Sequence, residues 1–165
     1  MFISVHAAVA MVVGKTVASS PLAFILGFVL HFVLDIIPHG DEKLGKKFFG
    51  IEVGKFKQHD DFKPLALYGS LDACFLGIFL AFMFKNFEFV RADNVVWAIF
   101  GGIIPDVLVA FYKLYNIKPL KWFYDLHNAN HFILLKRLKK DLPVKYGIVW
   151  QMLIFIFTIW LLFTI

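Results

Sequence analysis

Long apolar blocks dominate the hydrophobic pattern of this chain. Four of them cover residues 19–38, 64–84, 95–115 and 146–165. Each is about 20 residues long, and a helix of that length spans about 30 Å, the thickness of the hydrocarbon core of a bilayer. A fifth block, residues 2–13, is too short to cross alone and predicts a short or re-entrant helix protected by its neighbours.

The polar stretches between these blocks differ in their basic residues. Loops 39–63 and 116–145 hold six and seven Lys or Arg, whereas 14–18 and 85–94 hold one and two. Because cytoplasmic loops carry the excess of basic residues, the two rich loops are expected to be cytoplasmic. If the first helix crosses, the N-terminus then lies inside and the C-terminus outside.

Two further patterns refine the predicted architecture. Residues 118–142 combine aromatic, apolar and basic residues after Pro119, which is typical of an interfacial amphipathic helix. The runs FILGFVLHFVLDIIPH and WAIFGGIIPDVLVAFY both place an acid beside Ile-Ile-Pro, as a pseudo-repeat of helix pairs would. The prediction is an all-α integral membrane protein of the inner or cell membrane, with residues 1–165 forming one membrane-embedded domain.

Composition agrees with a bilayer as solvent. Hydrophobic residues make up 60% of the chain, above the roughly 45–50% that is usual for soluble domains. The net charge of +5 comes from lysines in loops, where the positive-inside rule accounts for them, so nucleic-acid binding is disfavoured. The single cysteine, Cys74, excludes an internal disulfide and a cysteine-based zinc site.

Ionisable residues inside the apolar blocks are the candidates for function, because each is costly there unless it is paired or bound to a metal. His31 and Asp35 are four residues apart and share a helix face. At 1.5 Å per residue, four residues lie about 8 to 14 Å from the predicted cytoplasmic ends: His6, His31, Asp72 and Asp106. A common depth on separate helices predicts a shared site.

Histidine nitrogens and carboxylate oxygens are ligands that zinc accepts. Asp35 and His39 lie nearer the cytoplasmic mouth, and His127 and His131 lie on the helix expected to cover it. The candidate set is large enough for one to three zinc ions: His6, His31, Asp35, His39, Asp72, Asp106, His127 and His131. Taken singly, each residue could instead be a hydrogen bonder between packed helices, and the last two histidines could equally face lipid headgroups.

The segment LGFVLHFVLDIIPHGD at 26–41 resembles a known metal-binding motif. It is similar to the His-x-x-x-Asp helix of zinc-dependent phospholipases C and secreted single-strand-specific zinc nucleases, in which a histidine follows shortly after. The resemblance implies that His31, Asp35 and His39 are zinc ligands.

The wider chain resembles a related membrane family, the metal-dependent hydrolases described as LexA-binding and inner-membrane-associated. The matching features are the early His6, the run GGIIPD ending at Asp106, and the pair His127 and His131 in HNANH. The chain departs from that pattern at Leu108, where a second aspartate is usual. The histidine pair is also four residues apart rather than five, and the order of the motifs differs.

Cluster and resemblance together predict a zinc-dependent hydrolase that cleaves a phosphoester of a lipid or another membrane-proximal substrate. The metal would activate water, with Asp72 and Asp106 as catalytic carboxylates and Asp72 as the base. Lys113 and the basic cluster at 136–140 could hold an anionic headgroup, although that cluster is equally explained as a topology anchor.

Two other functions use the same polar layer. One is a proton or metal-ion carrier, whose path should continue across the membrane. The outer half of the blocks, however, offers no further chain of ionisable residues. The other is a structural protein in which the polar residues only lock helices together, and stoichiometric metal would argue against it.

Overall fold

The computed structural model describes residues 1–40, 62–138 and 142–165 of the chain. Its α-helices in this part are α1 (Ile3–Thr16), α2 (Ser20–Asp35), α3 (Phe62–Asn86), α4 (Ala92–Tyr115), α5 (Lys121–Leu138) and α6 (Val144–Thr164). A 3₁₀ turn, Lys118–Leu120, joins α4 to α5. The described residues contain no strand, so the prediction of an all-helical protein is confirmed.

Among the described helices, three are long and apolar enough to cross a bilayer: Ala66–Asn86 within α3, Ala92–Tyr115 and Val144–Thr164. Helices α1 and α2 have only 14 and 16 residues, or about 21 and 24 Å. The prediction of four full-length spans and a fifth short one is therefore not supported. The block at 19–38 is shortened at its end because Pro38 disfavours helical backbone in the residue before it, and α2 ends at Asp35.

Helices α1, α2 and α4 form the tightly packed centre of the molecule. A Cβ on Gly27 would overlap the carbonyl group of Ala98, and one on Gly101 would overlap the carbonyl group of Phe24. The two helices can approach this closely only because both positions lack a side chain, as in other membrane helix pairs. α2 and α4 thus pack as a pair, while the predicted pseudo-repeat stays a prediction.

Helices α3 and α6 lie outside this centre and pack mainly on α1. Met11, Met83 and Leu162 are completely buried where the three helices meet. The outer faces remain apolar: Ile78 on α3 is 71% exposed and Trp160 on α6 is 56% exposed. An apolar surface of this extent on helices of membrane-crossing length indicates a bilayer as its surroundings.

One end of the bundle gathers the start of α1, the end of α2 and the start of α6. Gly40 lies against Leu142 and Gly147 there, and α5 packs on α4 and α2. At the opposite end, Lys15 donates to the carbonyl oxygen of Leu162. Most lysines of loop 39–63 and two of the 136–140 cluster lie outside the described residues.

Candidate metal centre

Asp35, in the last turn of α2, lies at the centre of a buried cluster of polar side chains. Its Oδ2 atom is 3.1 Å from His31 Nε2, 3.1 Å from His131 Nε2 and 3.4 Å from His127 Nε2. Within the described part of the chain, no hydrogen bond of ordinary geometry reaches this oxygen. A buried carboxylate oxygen surrounded by three imidazole nitrogens needs a positive charge to offset its loss of hydration.

Four side chains form a first group of convergent ligand atoms: His31, Asp35, Asp106 and His127, each offering one atom, all within 4.8 Å of one another. His31 Nε2 lies 3.0 Å from His127 Nε2, and His127 Nε2 lies 3.3 Å from Asp106 Oδ1. The group therefore joins the end of α2, the middle of α4 and α5.

A second group contains Asp35, His39 and His131, whose ligand atoms also lie within 4.8 Å of one another. His131 is one helical turn beyond His127 on α5, so both histidines face inward on the same side of that helix. Asp35 belongs to both groups. Its Oδ2 faces histidines of both groups, His31 and His127 of the first and His131 of the second.

Backbone carbonyls fix which ring nitrogens face the cluster. His31 Nδ1 lies 2.8 Å from the carbonyl oxygen of Gly102, and His39 Nδ1 lies 2.7 Å from that of Ile37. A carbonyl oxygen only accepts, so each Nδ1 must donate its proton and the Nε2 of the neutral ring keeps its lone pair. The lone pair of His31 is turned toward Asp35, and that of His39 toward the amino group of Met1. Metal-binding histidines are held by backbone carbonyls in this way.

The amino-terminal helix adds two more contacts to Asp35. His6 stacks on His31 with ring centroids 4.1 Å apart, and its Nε2 lies 3.1 Å from Asp35 Oδ1. The amino group of Met1 is 3.1 Å from the same oxygen and 2.7 Å from His39 Nε2. His6 therefore lies beside the cluster, against Asp35, without belonging to either convergent group.

The carboxylates of Asp35 and Asp106 affect the pKa values of the histidines on α5. Burial alone would lower the pKa of His127, but the neighbouring carboxylates of Asp106 and Asp35 raise it to about 9. The pKa of His131 is lowered, because burial outweighs the opposing effect of Asp35. The position between Asp35 and Asp106 thus favours a positive charge.

Asp72, like His6, is a predicted site residue outside both ligand groups, and its carboxylate has other partners. Its Oδ2 accepts the N–H of Ile3 at 2.6 Å, and its Oδ1 accepts that of Ser4 at 3.3 Å. The carboxylate thereby anchors the first turn of α1, where backbone N–H groups have no helical partner. It lines the same cavity as the cluster but belongs to neither ligand group.

Two supporting residues were not recognised from the sequence. Buried Gln151 on α6 accepts the N–H of Phe2 and donates to the carbonyl oxygen of His39. Asn130 on α5 donates to the carbonyl oxygen of Phe32. Both orient segments that carry cluster histidines, and an amide inside the apolar block of α6 was the available signal.

A cavity of about 580 Å³ borders the cluster. Its polar lining includes Asp72, Asp106, His127, His131 and Lys113. The remaining lining is largely apolar and comes from the start of α1, the segment after α2, the start of α3, the second half of α4 and the inner face of α5. The cluster therefore forms one wall of a ligand-sized space, since small-molecule sites measure about 300–1,000 Å³.

The donor set and its spacing fit divalent zinc. Bonds of about 2.0–2.1 Å in a tetrahedral site place neighbouring ligand atoms about 3.3 Å apart. The separations among His31, His127 and Asp35 Oδ2 run from 3.0 to 3.4 Å. Imidazole and carboxylate ligands without cysteine are also usual for zinc in hydrolytic sites.

Comparisons with known proteins add no identification. No family model matches the chain, no curated protein is detectably similar to it, and no solved structure resembles it.

Proposed function

We propose that the chain is a membrane-embedded, metal-dependent hydrolase that holds two zinc ions and cleaves a phosphoester of a lipid or another membrane-proximal substrate. The observation that carries the proposal is the shared position of Asp35, whose buried Oδ2 faces histidines of both ligand groups beside the cavity. Sites with two metals commonly serve phosphoester cleavage.

Each ligand group has its own support. His31, Asp106 and His127 would hold one ion and His39 and His131 the other, with Asp35 belonging to both groups. When bound, the ions supply Lewis-acid activation of water and charge stabilisation at the phosphoryl oxygens. Gly102, Ile37 and Gln151 keep the histidine rings and their backbone in place through hydrogen bonds, and the apolar cavity wall limits access of bulk water.

The interior beyond the cluster favours a closed pocket over a transport path. The completely buried side chains next along the bundle are mostly apolar, among them Ala7, Ala8, Met11, Val95 and Leu162. The buried polar residues there, Asn94 and Thr158, are not ionisable and donate to the backbone carbonyl oxygens of Val17 and Ile154. A carrier would need polar or ionisable groups to continue toward the far side. The described core thus supports an enzyme rather than the carrier alternative.

Replacing a ligand should abolish metal-dependent hydrolysis. Purified zinc-loaded protein is expected to cleave a chromogenic phosphodiester or a phospholipid, with activity falling below about pH 7, the usual pKa of zinc-bound water. His127→Ala should lower activity at least about 100-fold, the lower range for loss of one charge-stabilising group. Asp125→Asn changes an exposed residue on the same helix and should leave activity unchanged.

The contradicting result is equally specific. If zinc-loaded protein cleaves no lipid, nucleotide or artificial phosphodiester between pH 5 and 9, yet moves protons or zinc across liposomes, the carrier function replaces the hydrolase.

The end of the bundle that holds the cluster is proposed to face the cytoplasm, because the lysine-rich stretches follow α2 and α4. Introduced cysteines in a Cys74→Ser background test this with an impermeant thiol reagent in intact cells. Val90→Cys, at a completely exposed position between α3 and α4, should be labelled, and Lys121→Cys, at the start of α5, should be protected. The reverse labelling pattern would place the site on the outer face.

A further inference from the structure

We propose that the cavity beside the cluster binds an anionic lipid, with Lys113 contacting its headgroup and its acyl chains leaving between α3 and α4. The inference deepens the proposed function by naming the substrate class, and its cleavage step rests on that function. Lipid binding itself does not, since the cavity and Lys113 belong to the chain whether or not metal is bound.

An acidic and a basic side chain of α4, Asp106 and Lys113, line the cavity. Asp106 and Lys113 are seven residues apart, which is two helical turns or about 10 Å along one face. The Lys113 ammonium also lies 5.8 Å from the centre of the Tyr124 ring on α5. This cation is held in the cleft between α4 and α5, within reach of a ligand that occupies the cavity.

Between and beyond these groups the wall is apolar. Val109 and Ala110 separate Asp106 from Lys113 on α4, and Phe132 and Leu135 continue the surface on α5. A soluble phosphoester would gain nothing from this surface, whereas the glycerol backbone and upper acyl chains of a lipid would bury apolar area against it. The combination of a cation and an apolar wall selects an amphiphile with negative charge.

A lipid can reach the cavity from the side. α3 packs mainly on α1 and has no extensive packing on α4 or α5 among the described residues, and the cavity lies between them. Small residues of α3, Ala66, Gly69, Ser70 and Ala73, form that side of its lining. Because α3 and α4 both have membrane-crossing length, the bilayer would border this side of the cavity.

The charge of the lipid is tested on metal-free protein, so that binding is measured without turnover. Micelles doped with equal phosphatidylglycerol and phosphatidylcholine are analysed by native mass spectrometry. Wild type should retain phosphatidylglycerol preferentially, and Lys113→Met should lower that preference about 10- to 100-fold, as expected for loss of one hydrogen bond to a charged group. Lys113→Arg should keep the preference, as should Lys121→Met, which removes an exposed lysine outside the cavity.

The cavity itself is tested with two glycines of α3. A side chain at Gly69 or at Gly77 meets open space, so both positions tolerate a larger residue, but only Gly69 lines the cavity. Gly69→Trp should reduce retention of phosphatidylglycerol at least about tenfold, because the indole ring would occupy the part of the cavity that the lipid needs. Gly77→Trp should bind lipid as wild type does.

The proposal would be overturned by equal retention of the two lipids by wild type, by an unchanged preference in Lys113→Met, or by full lipid binding by Gly69→Trp. Binding of glycerol phosphate as tightly as the lipid would also do so, because the acyl chains would then contribute nothing. Lipid binding without any hydrolysis would defeat only the proposed function. Cleavage of a soluble diester without lipid preference would defeat only the present inference.

Discussion

Asp35→Asn should abolish zinc binding at both proposed sites. The carboxylate belongs to both ligand groups, and its Oδ2 lies 3.1 Å from the Nε2 atoms of His31 and His131. The amide keeps the size of the side chain but loses the negative charge and one acceptor oxygen. Loss of an outer-shell partner alone costs about 10- to 100-fold in metal affinity, so loss of the shared ligand should exceed that range at each site.

Elemental analysis of protein purified without chelator measures the effect directly. Wild type is expected to carry about two zinc ions per chain and Asp35→Asn close to none. Asp93→Asn is the matched control, because Asp93 is an exposed carboxylate at the opposite end of the bundle that accepts a hydrogen bond from Ser20. Retention of full metal by Asp35→Asn would show that the buried cluster is not a metal centre.

The convergence of the cluster could be anticipated from sequence because depth in a membrane is readable from it. A count of residues along each apolar block gives height, and His31 and Asp106 were predicted at a common height and do meet. The same count does not give the direction in which a side chain points around its helix. Asp72 shares the height, yet α3 packs on α1, so its carboxylate meets the N–H groups of Ile3 and Ser4 instead.

Helix lengths were less predictable than helix positions. Hydropathy extended the second block to Pro38, but the helix ends at Asp35, and Ile36 to Gly40 then carry His39 back toward the cluster. The hydropathy pattern cannot distinguish a short helix covered by neighbours from one that crosses the bilayer. Gly27 and Gly101 allow α2 to lie against α4 over its length, which explains how a helix too short to span is accommodated.

The partners of the supporting residue Gln151 could not be found from the sequence. Gln151 joins Phe2 and His39 across separations of 149 and 112 residues. A single amide in an apolar block signals a buried hydrogen bond, but no pattern along the chain names its partners. Such contacts are set by tertiary packing, and they place the first residues of the chain beside the cluster.

Asp106→Asn and His131→Ala should each remove one ion and leave the other. Asp106 belongs only to the first ligand group and His131 only to the second, so elemental analysis should give about one zinc per chain for either variant. Turnover should nevertheless fall at least about 100- to 1,000-fold in both, the range for losing one group that stabilises charge in the transition state. Loss of both ions in either variant, or of neither, would contradict two sites that share Asp35.

Asp72→Asn distinguishes three roles for Asp72: metal ligand, general base and anchor of α1. Its carboxylate lines the same space but belongs to neither ligand group, so both ions should stay bound. If Asp72 is the general base predicted from the sequence, turnover falls about 100- to 10,000-fold at full metal content. If it only anchors α1, turnover is kept and the melting temperature falls, because the neutral amide has one acceptor oxygen and leaves one of the two backbone N–H groups of Ile3 and Ser4 without an acceptor. Loss of metal in this variant would place Asp72 among the ligands and contradict the division into two groups.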